Sequence, residues 1–266
     1  FLAGNYKFSA GENGGSVVNQ GRINASEGGF VALLGANAVN EGIIVANKGS
    51  VALGAGAQAT LDMTGDGLIT LAVDQGALNA KVENKNLIEA QGGLVVMTAR
   101  TAGELSGTVV NNSGVVRAQS LNVRNGKIVL DGGSGTVTNS GTLDASSETG
   151  QGGKIVVTGD RVLVAAGSHL TASGALGGGD VLVGGSWQGQ DASIQQATGT
   201  IVEAGALLEA NATDKGNGGT VVAWSDVTKA GSVTRAYGTF QAQGGANGGD
   251  GGRIETSGHW LDVAGS

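Results

Sequence analysis

The chain has 266 residues, enough to bury a large core, with 15 basic and 22 acidic side chains and a net charge of −7. Glycine supplies 52 residues, proline and cysteine none, and aromatics only 3 %. Disulfides and thiolate metal sites are thereby excluded, and the lack of any basic run argues against a nucleic-acid partner or an anionic membrane surface. No stretch reaches the roughly 18 uncharged apolar residues of a membrane-spanning helix. No signal peptide is present, and a chain opening on Phe1 reads as an excerpt of something longer, here taken as one segment, 1–266.

Taken in order, the sequence repeats one unit. Its first half, N-x-G-x-Φ-x-A with Φ a large apolar residue, appears at 19–25, 40–46, 84–90, 112–118 and 139–145. In the 84–90 copy Asn86 replaces the glycine, as the other residue that tolerates a left-handed turn. Looser copies follow, and the closing alanines fall at 25, 46, 90, 118, 145, 172, 210 and 242. Successive spacings are 21, 44, 28, 27, 27, 38 and 32 residues, so the 44 predicts one degenerate turn between Ala46 and Ala90. The stretch Leu61–Val82 fits the pattern poorly and reads as that degenerate coil or as a hairpin outside the stack.

The second half, G-x-Φ-x-Φ, places apolar residues at Val31, Val51, Val95, Ile128, Ile155, Val181, Val221 and Ile254. Alternation at period two marks strands with one buried face. A repeat of 20 to 30 residues with short strands, glycine turns and no helical period is a β-solenoid signature, because one turn cannot bury its apolar face and a stack can. The expected fold is all-β, a parallel β-helix of about ten or eleven coils, roughly 50 Å long at about 4.8 Å per coil. Asn19, Asn40, Asn84, Asn112 and Asn139 predict a ladder of side-chain amides at one corner, with a simple preference for left-handed turn geometry as the alternative.

The phrases GSVVNQGRINASEGGFVALLGANAVNEGIIVANKGSVALGAG, GGDVLVGG (178–185), GGTVVAWSD (218–226) and GGRIETSGHWLDV (251–263) resemble the repeat region of filamentous-haemagglutinin-type exoproteins, the large adhesins of two-partner secretion. High-molecular-weight adhesins, haem-acquisition exoproteins and CdrA-type biofilm adhesins share this resemblance, which covers essentially the whole chain. It implies a right-handed parallel β-helix, passage through a dedicated outer-membrane transporter, location on the surface of a Gram-negative bacterium or outside it, and a role in attachment. The family's secretion domain carries NPNG-like and NPNL-like motifs, and this chain, lacking proline, has neither. The expectation is therefore the helix just downstream of that domain. A chain exported unfolded also benefits from having no disulfides and no slow prolyl isomerisation.

Candidate sites are few. GGGDVLVGG (177–185) and GGANGGDGG (244–252) faintly echo a calcium nonapeptide, but each stands alone and the spacing is off, so Asp180 and Asp250 read as solvated turn residues and no metal is assigned. Parallel β-helices also host polysaccharide-degrading enzymes, yet no carboxylates recur at matching offsets and only His169 and His259 are available, so no catalytic residue and no cofactor is assigned. The aromatic set Trp187, Trp224, Tyr237 and Trp260 is the candidate ligand surface, with Trp224 pointing outward by period two and suited to stacking on a sugar face. The plainer reading of each ring is a cover for the stack's end or a loop seal. The outward residues Val129, Val156, Leu182 and Val222 are apolar, which calls for a cover, the loop Ser146–Gly152 or a lateral partner. The function expected is a structural and adhesive segment that binds a host or matrix glycan or a surface protein; a dedicated module for a polysaccharide, host protein or haem carrier is the alternative, and an enzyme the remote third.

Overall fold

The computed structural model describes residues 5–10, 14–62, 68–102, 107–121 and 124–264. It is a right-handed parallel β-helix with three faces. Sheet one has nine strands, from Ser16–Asn19 to Trp260–Asp262; sheet two has eight, from Arg22–Asn24 to Thr239–Gln241; sheet three has eight, from Phe30–Gly35 to Arg253–Ser257. A coil visits the three in turn, as in Thr136–Asn139, Thr142–Asp144 and Lys154–Thr158.

Eight complete coils are described, with Trp260–Asp262 opening a ninth, fewer than the spacing predicts. Sheet one therefore spans about 38 Å at about 4.8 Å between strands. One of the missing coils is the degenerate turn expected between Ala46 and Ala90; the rest reflects long spacings, such as the 38 residues from Ala172 to Ala210, that a single coil fills. Ile43–Val45 pairs directly with Leu87–Glu89, Ile44 opposite Ile88, so no degenerate coil intervenes. The surplus residues instead form the antiparallel strands Gln58–Asp62 and Thr70–Gln75, which join Asn5–Ser9 in a separate three-stranded sheet. Of the stretch Leu61–Val82, the first residues and 70–75 belong to that sheet, Lys81 and Val82 return to sheet one, and 63–67 lie outside the described residues. A hairpin alternates at the same period as a coil strand, so spacing alone does not separate them.

Like residues stack in columns. Ile23, Ile44, Ile88, Val116, Leu143, Leu170, Leu208 and Phe240 follow one another up sheet two. The eight apolar positions of G-x-Φ-x-Φ, Val31 to Ile254, form an equivalent column in sheet three. The alanines line the narrow corner between them, and those from Ala46 to Ala210 are fully buried. Each of these columns makes the core continuous from coil to coil, which no single coil achieves alone.

The asparagine corner is a ladder. Asn19 Nδ2 donates to Asn40 Oδ1 at 2.8 Å, Asn40 to Asn84 at 2.8 Å, Asn84 to Asn112 at 2.8 Å and Asn112 to Asn139 at 2.7 Å. It ends at Asn139, whose amide turns to the Gly141 carbonyl at 3.0 Å, and Val164, Val202 and Ala236 occupy the same register above. None of these asparagines has a positive φ, so the stacked amides, and not left-handed turns, account for the residue type.

The neighbouring glycines need a similar correction. Gly42, Gly114 and Gly141 are not left-handed, and neither is Asn86. A Cβ on Gly141 would lie 2.0 Å from the Gly114 carbonyl oxygen of the preceding coil. Close approach of backbones, not turn handedness, selects glycine there.

Candidate functional site

Two outer faces carry features beyond the bare stack. On sheet three the outward residues Val156, Leu182, Val222 and Trp224 are buried, and Val129 is half-buried. The segment 184–197, between strands Asp180–Val183 and Gly199–Val202, folds over them and contributes Ile194 and Trp187. It is fastened across several coils. Gln195 Nε2 donates to the Gly133 carbonyl at 2.7 Å and Thr158 Oγ1 to the Gln195 carbonyl at 2.6 Å. Trp224 Nε1 donates to Gln196 Oε1 at 3.0 Å, the Gln188 amide to Glu255 Oε2 at 2.7 Å, and the Arg253 guanidinium lies 4.6 Å from the Trp187 ring centre. The cover is thus intramolecular, but it is not the loop Ser146–Gly152. That loop stacks on the next coil through bridges Ser147 to Gly174 and Gln151 to Gly177. Between the strap and the face lies a cleft of about 290 Å³ whose lining includes Lys127, Lys154, the strap's Asp191 and the Arg100–Asp131 ion pair at 2.6 Å.

At the other end of the same face the antiparallel hairpin lies with Thr70–Gln75 on coils two and three. Leu71 and Val73 sit over Gly54 and Gly56, and the Ile69 amide donates to Ser50 Oγ at 2.8 Å.

Sheet one is uncovered near its C-terminal end. Its outward residues run Arg161, Gly199, Val233, Trp260 in one register column and Leu163, Ile201, Arg235, Asp262 in the next. Where Gly199 supplies no side chain the surface sinks into a groove of about 490 Å³, with Leu163, Ile201 and Val233 in its lining and Arg161 and Arg235 beside them.

The four aromatic candidates do not form one surface. Trp224 points out of the coil as its parity requires, but at 4 % exposure it is sealed under the strap and offers no ring face to a ligand. Trp187 is half-buried in the strap itself. Tyr237 and Trp260 belong to the other side. The Tyr237 hydroxyl donates to Asp262 Oδ2 at 2.6 Å, and Trp260 is 64 % exposed beside His259. That hydroxyl, joined by the Ala264 amide, holds the Asp262 carboxyl below its ordinary value, and the same bond raises the Tyr237 phenol above its own. Sequence reasoning missed the Gly199 groove; its one signal was a glycine where neighbouring coils carry side chains.

The glycine–aspartate phrases are a packing corner. Gly178 and Gly218 donate to Asn217 and Asp250 carbonyls in the next coil at 3.0 and 2.9 Å, and Asp180 lies 3.9 Å from Lys154. Among the described residues no three His, Cys, Asp or Glu side chains come together to hold a metal ion. His169 sits on the outer face of sheet two, its Nε2 2.8 Å from Glu209 Oε1. Among the described residues no helix is long and apolar enough to cross a membrane.

A stack of this kind, with its hairpin and strap, places the chain among right-handed parallel β-helix proteins. The family model of the TPS secretion domain, the domain of two-partner secretion, matches residues 2–145, and the chain belongs to that family. Among solved structures it is similar to the HMW1 secretion domain from Haemophilus influenzae, with 30% sequence identity and a TM-score of 0.84, covering 98% of this chain and 67% of that one. No curated protein matches it. The match at 2–145 overturns the placement downstream of the secretion domain: the secretion domain is itself built from these coils, and the missing proline motifs do not mark its absence. The protein is secreted by the two-partner route to the surface or surroundings of a Gram-negative bacterium, and the domain implies an outer-membrane transporter as its partner.

Proposed function

We propose that, besides directing export, this segment serves attachment, as a rigid adhesive part of a large exoprotein that contacts host cells, surfaces or the biofilm matrix. The observation that carries the reading is the unbroken stack of eight coils, a stiff body whose solvent-facing columns stay at fixed spacing along the stack. A surface glycan or protein is the contact expected of such a body, with Trp260 the most exposed aromatic candidate. Beads coated with the purified chain should be retained on epithelial monolayers or on matrix-coated surfaces above beads coated with an unrelated β-helix. Equal retention of both would confine the segment's role to export.

A further inference from the structure

We propose that the groove centred on Gly199 binds a carboxylate-bearing polysaccharide, a uronic-acid chain. The inference rests on the attachment reading only for its biological use. Four observations carry it.

First, the groove is open by residue choice and not by backbone necessity. Gly199 is not left-handed, and a Cβ there would meet nothing closer than Arg161 Cγ at 3.8 Å. The flanking coils carry Arg161 and Val233 at the same register, so a side chain fits this position.

Second, the groove is flanked by guanidiniums whose donors are barely used. Arg161 reaches only Asp160, at 3.9 Å, and Asp160 Oδ1 already accepts from Thr198 Oγ1 at 2.9 Å. The Arg235 guanidinium forms no hydrogen bond or ion pair among the described residues, and Asp262, its register neighbour and near enough to feel its charge, accepts the Tyr237 hydroxyl. The groove lining itself holds these two guanidiniums and no carboxylate, while Asp160 and Asp262 stand outside it. Arginine held on rigid strands suits bidentate capture of a carboxylate.

Third, between the cations lies apolar surface, Leu163, Ile201 and Val233, with the indole of Trp260 continuing the column. Sugar rings present C–H faces to such surfaces while their carboxylates stay at the edge. Arg161 and Arg235 are two strands and two residues apart, about 12 Å between their backbones on the diagonal across the groove. A polyuronate bears a carboxylate on every ring, so one chain meets both guanidiniums.

Fourth, the groove lies on the face of sheet one and not at its edge. Its strands Arg161–Val164, Gly199–Val202 and Val233–Ala236 are each paired on both sides, so their backbone offers no ladder to a peptide strand. Recognition by ring stacking and carboxylate contact favours a saccharide over an acidic protein.

The test is calorimetric titration of the purified chain with an oligogalacturonate, with a neutral galactan of equal length and polyglutamate as controls. The oligogalacturonate should bind saturably and lose affinity with added salt, while the neutral galactan does not bind and polyglutamate binds more weakly. Arg161→Gln with Arg235→Gln should weaken binding roughly tenfold or more. Gly199→Val should abolish it with an unchanged or higher melting temperature, since valine suits a strand. No saturable binding by folded wild-type chain, equal binding of either control, or an unaffected double variant would each overturn the proposal. Beads retained on surfaces without oligogalacturonate binding would remove the groove and leave the attachment reading standing; binding without retention would do the reverse.

Discussion

At the scale of single residues, two chemistries are set by the stacking distance between coils. The asparagine ladder places an amide donor and acceptor from each coil opposite those of the next, in a corner where Asn40, Asn84, Asn112 and Asn139 are fully buried. Asn112→Ala deletes the acceptor for Asn84 and the donor to Asn139, leaving buried polar groups unpaired. Urea unfolding should show a loss of about 2–4 kcal/mol, against about 1 kcal/mol for Asn19→Ala at the ladder's end. Glycines make the second case. A Cβ on Gly153 would stand 2.2 Å from the Gly126 carbonyl oxygen, a backbone atom fixed in the ladder, so Gly153→Ala should cost roughly 2 kcal/mol or more. Gly199→Ala, with only ordinary contacts, should be neutral or stabilising by roughly 0.5 kcal/mol in the same measurement.

Acid dependence belongs to this scale too. Glu41 is held below 4.5, first by the Gln20 amide and then by Lys85, and Asp226 below 3.8, chiefly by the Thr228 hydroxyl. A lowered folded pKa adds stability that is fully present above the unfolded value and lost as pH falls through the folded one. Melting temperature should therefore drop modestly between about pH 5 and pH 3, because these groups are solvent-screened. The ladder and both apolar columns were legible from spacing because period-two alternation reports directly on which face is buried. The reason for the glycines was not: positive φ and close approach select the same residue, and only coordinates separate them.

At the scale of elements, the hairpin and the strap are the departures from the plain coil. Parity placed Trp224 outward, and an apolar outward column signalled a cover, yet no local pattern tells which loop folds back. The strap's partners, Gly133, Thr158, Trp224 and Glu255, come from distant points in the sequence and meet only when the coils are stacked. In a stack where each coil otherwise touches its neighbours, such a strap couples coils that are not adjacent. Trp224→Ala opens a void beneath it, with an expected loss of about 3–5 kcal/mol, and limited proteolysis should then cut within 184–197. Trp224→Phe, which removes only the bond to Gln196 and some contact area, should cost about 1–2 kcal/mol and leave that segment far more resistant. Equal cleavage of both variants and wild type would mean the strap is not held by this ring.

At the scale of the whole molecule, the composition and the fold answer to one requirement. A chain threaded unfolded through an outer-membrane pore gains from having no cysteine to cross-link and no proline to isomerise. Each emerging coil then docks on the edge of the finished stack, through columns that need no contact with residues still inside the cell. The overall architecture was readable because it repeats; the coil count was not, since a 44-residue spacing fits two short coils or one coil with a hairpin. The repeat grammar was also silent on which part of the exoprotein the chain represents, because the secretion domain uses the same unit. The most direct measurement is export itself: the chain, fused to an inner-membrane signal sequence, expressed in a Gram-negative host with and without its cognate outer-membrane transporter. The chain should appear folded in the medium only when the transporter is present. Periplasmic retention in both cases, or release in both, would contradict its assignment as a secretion domain.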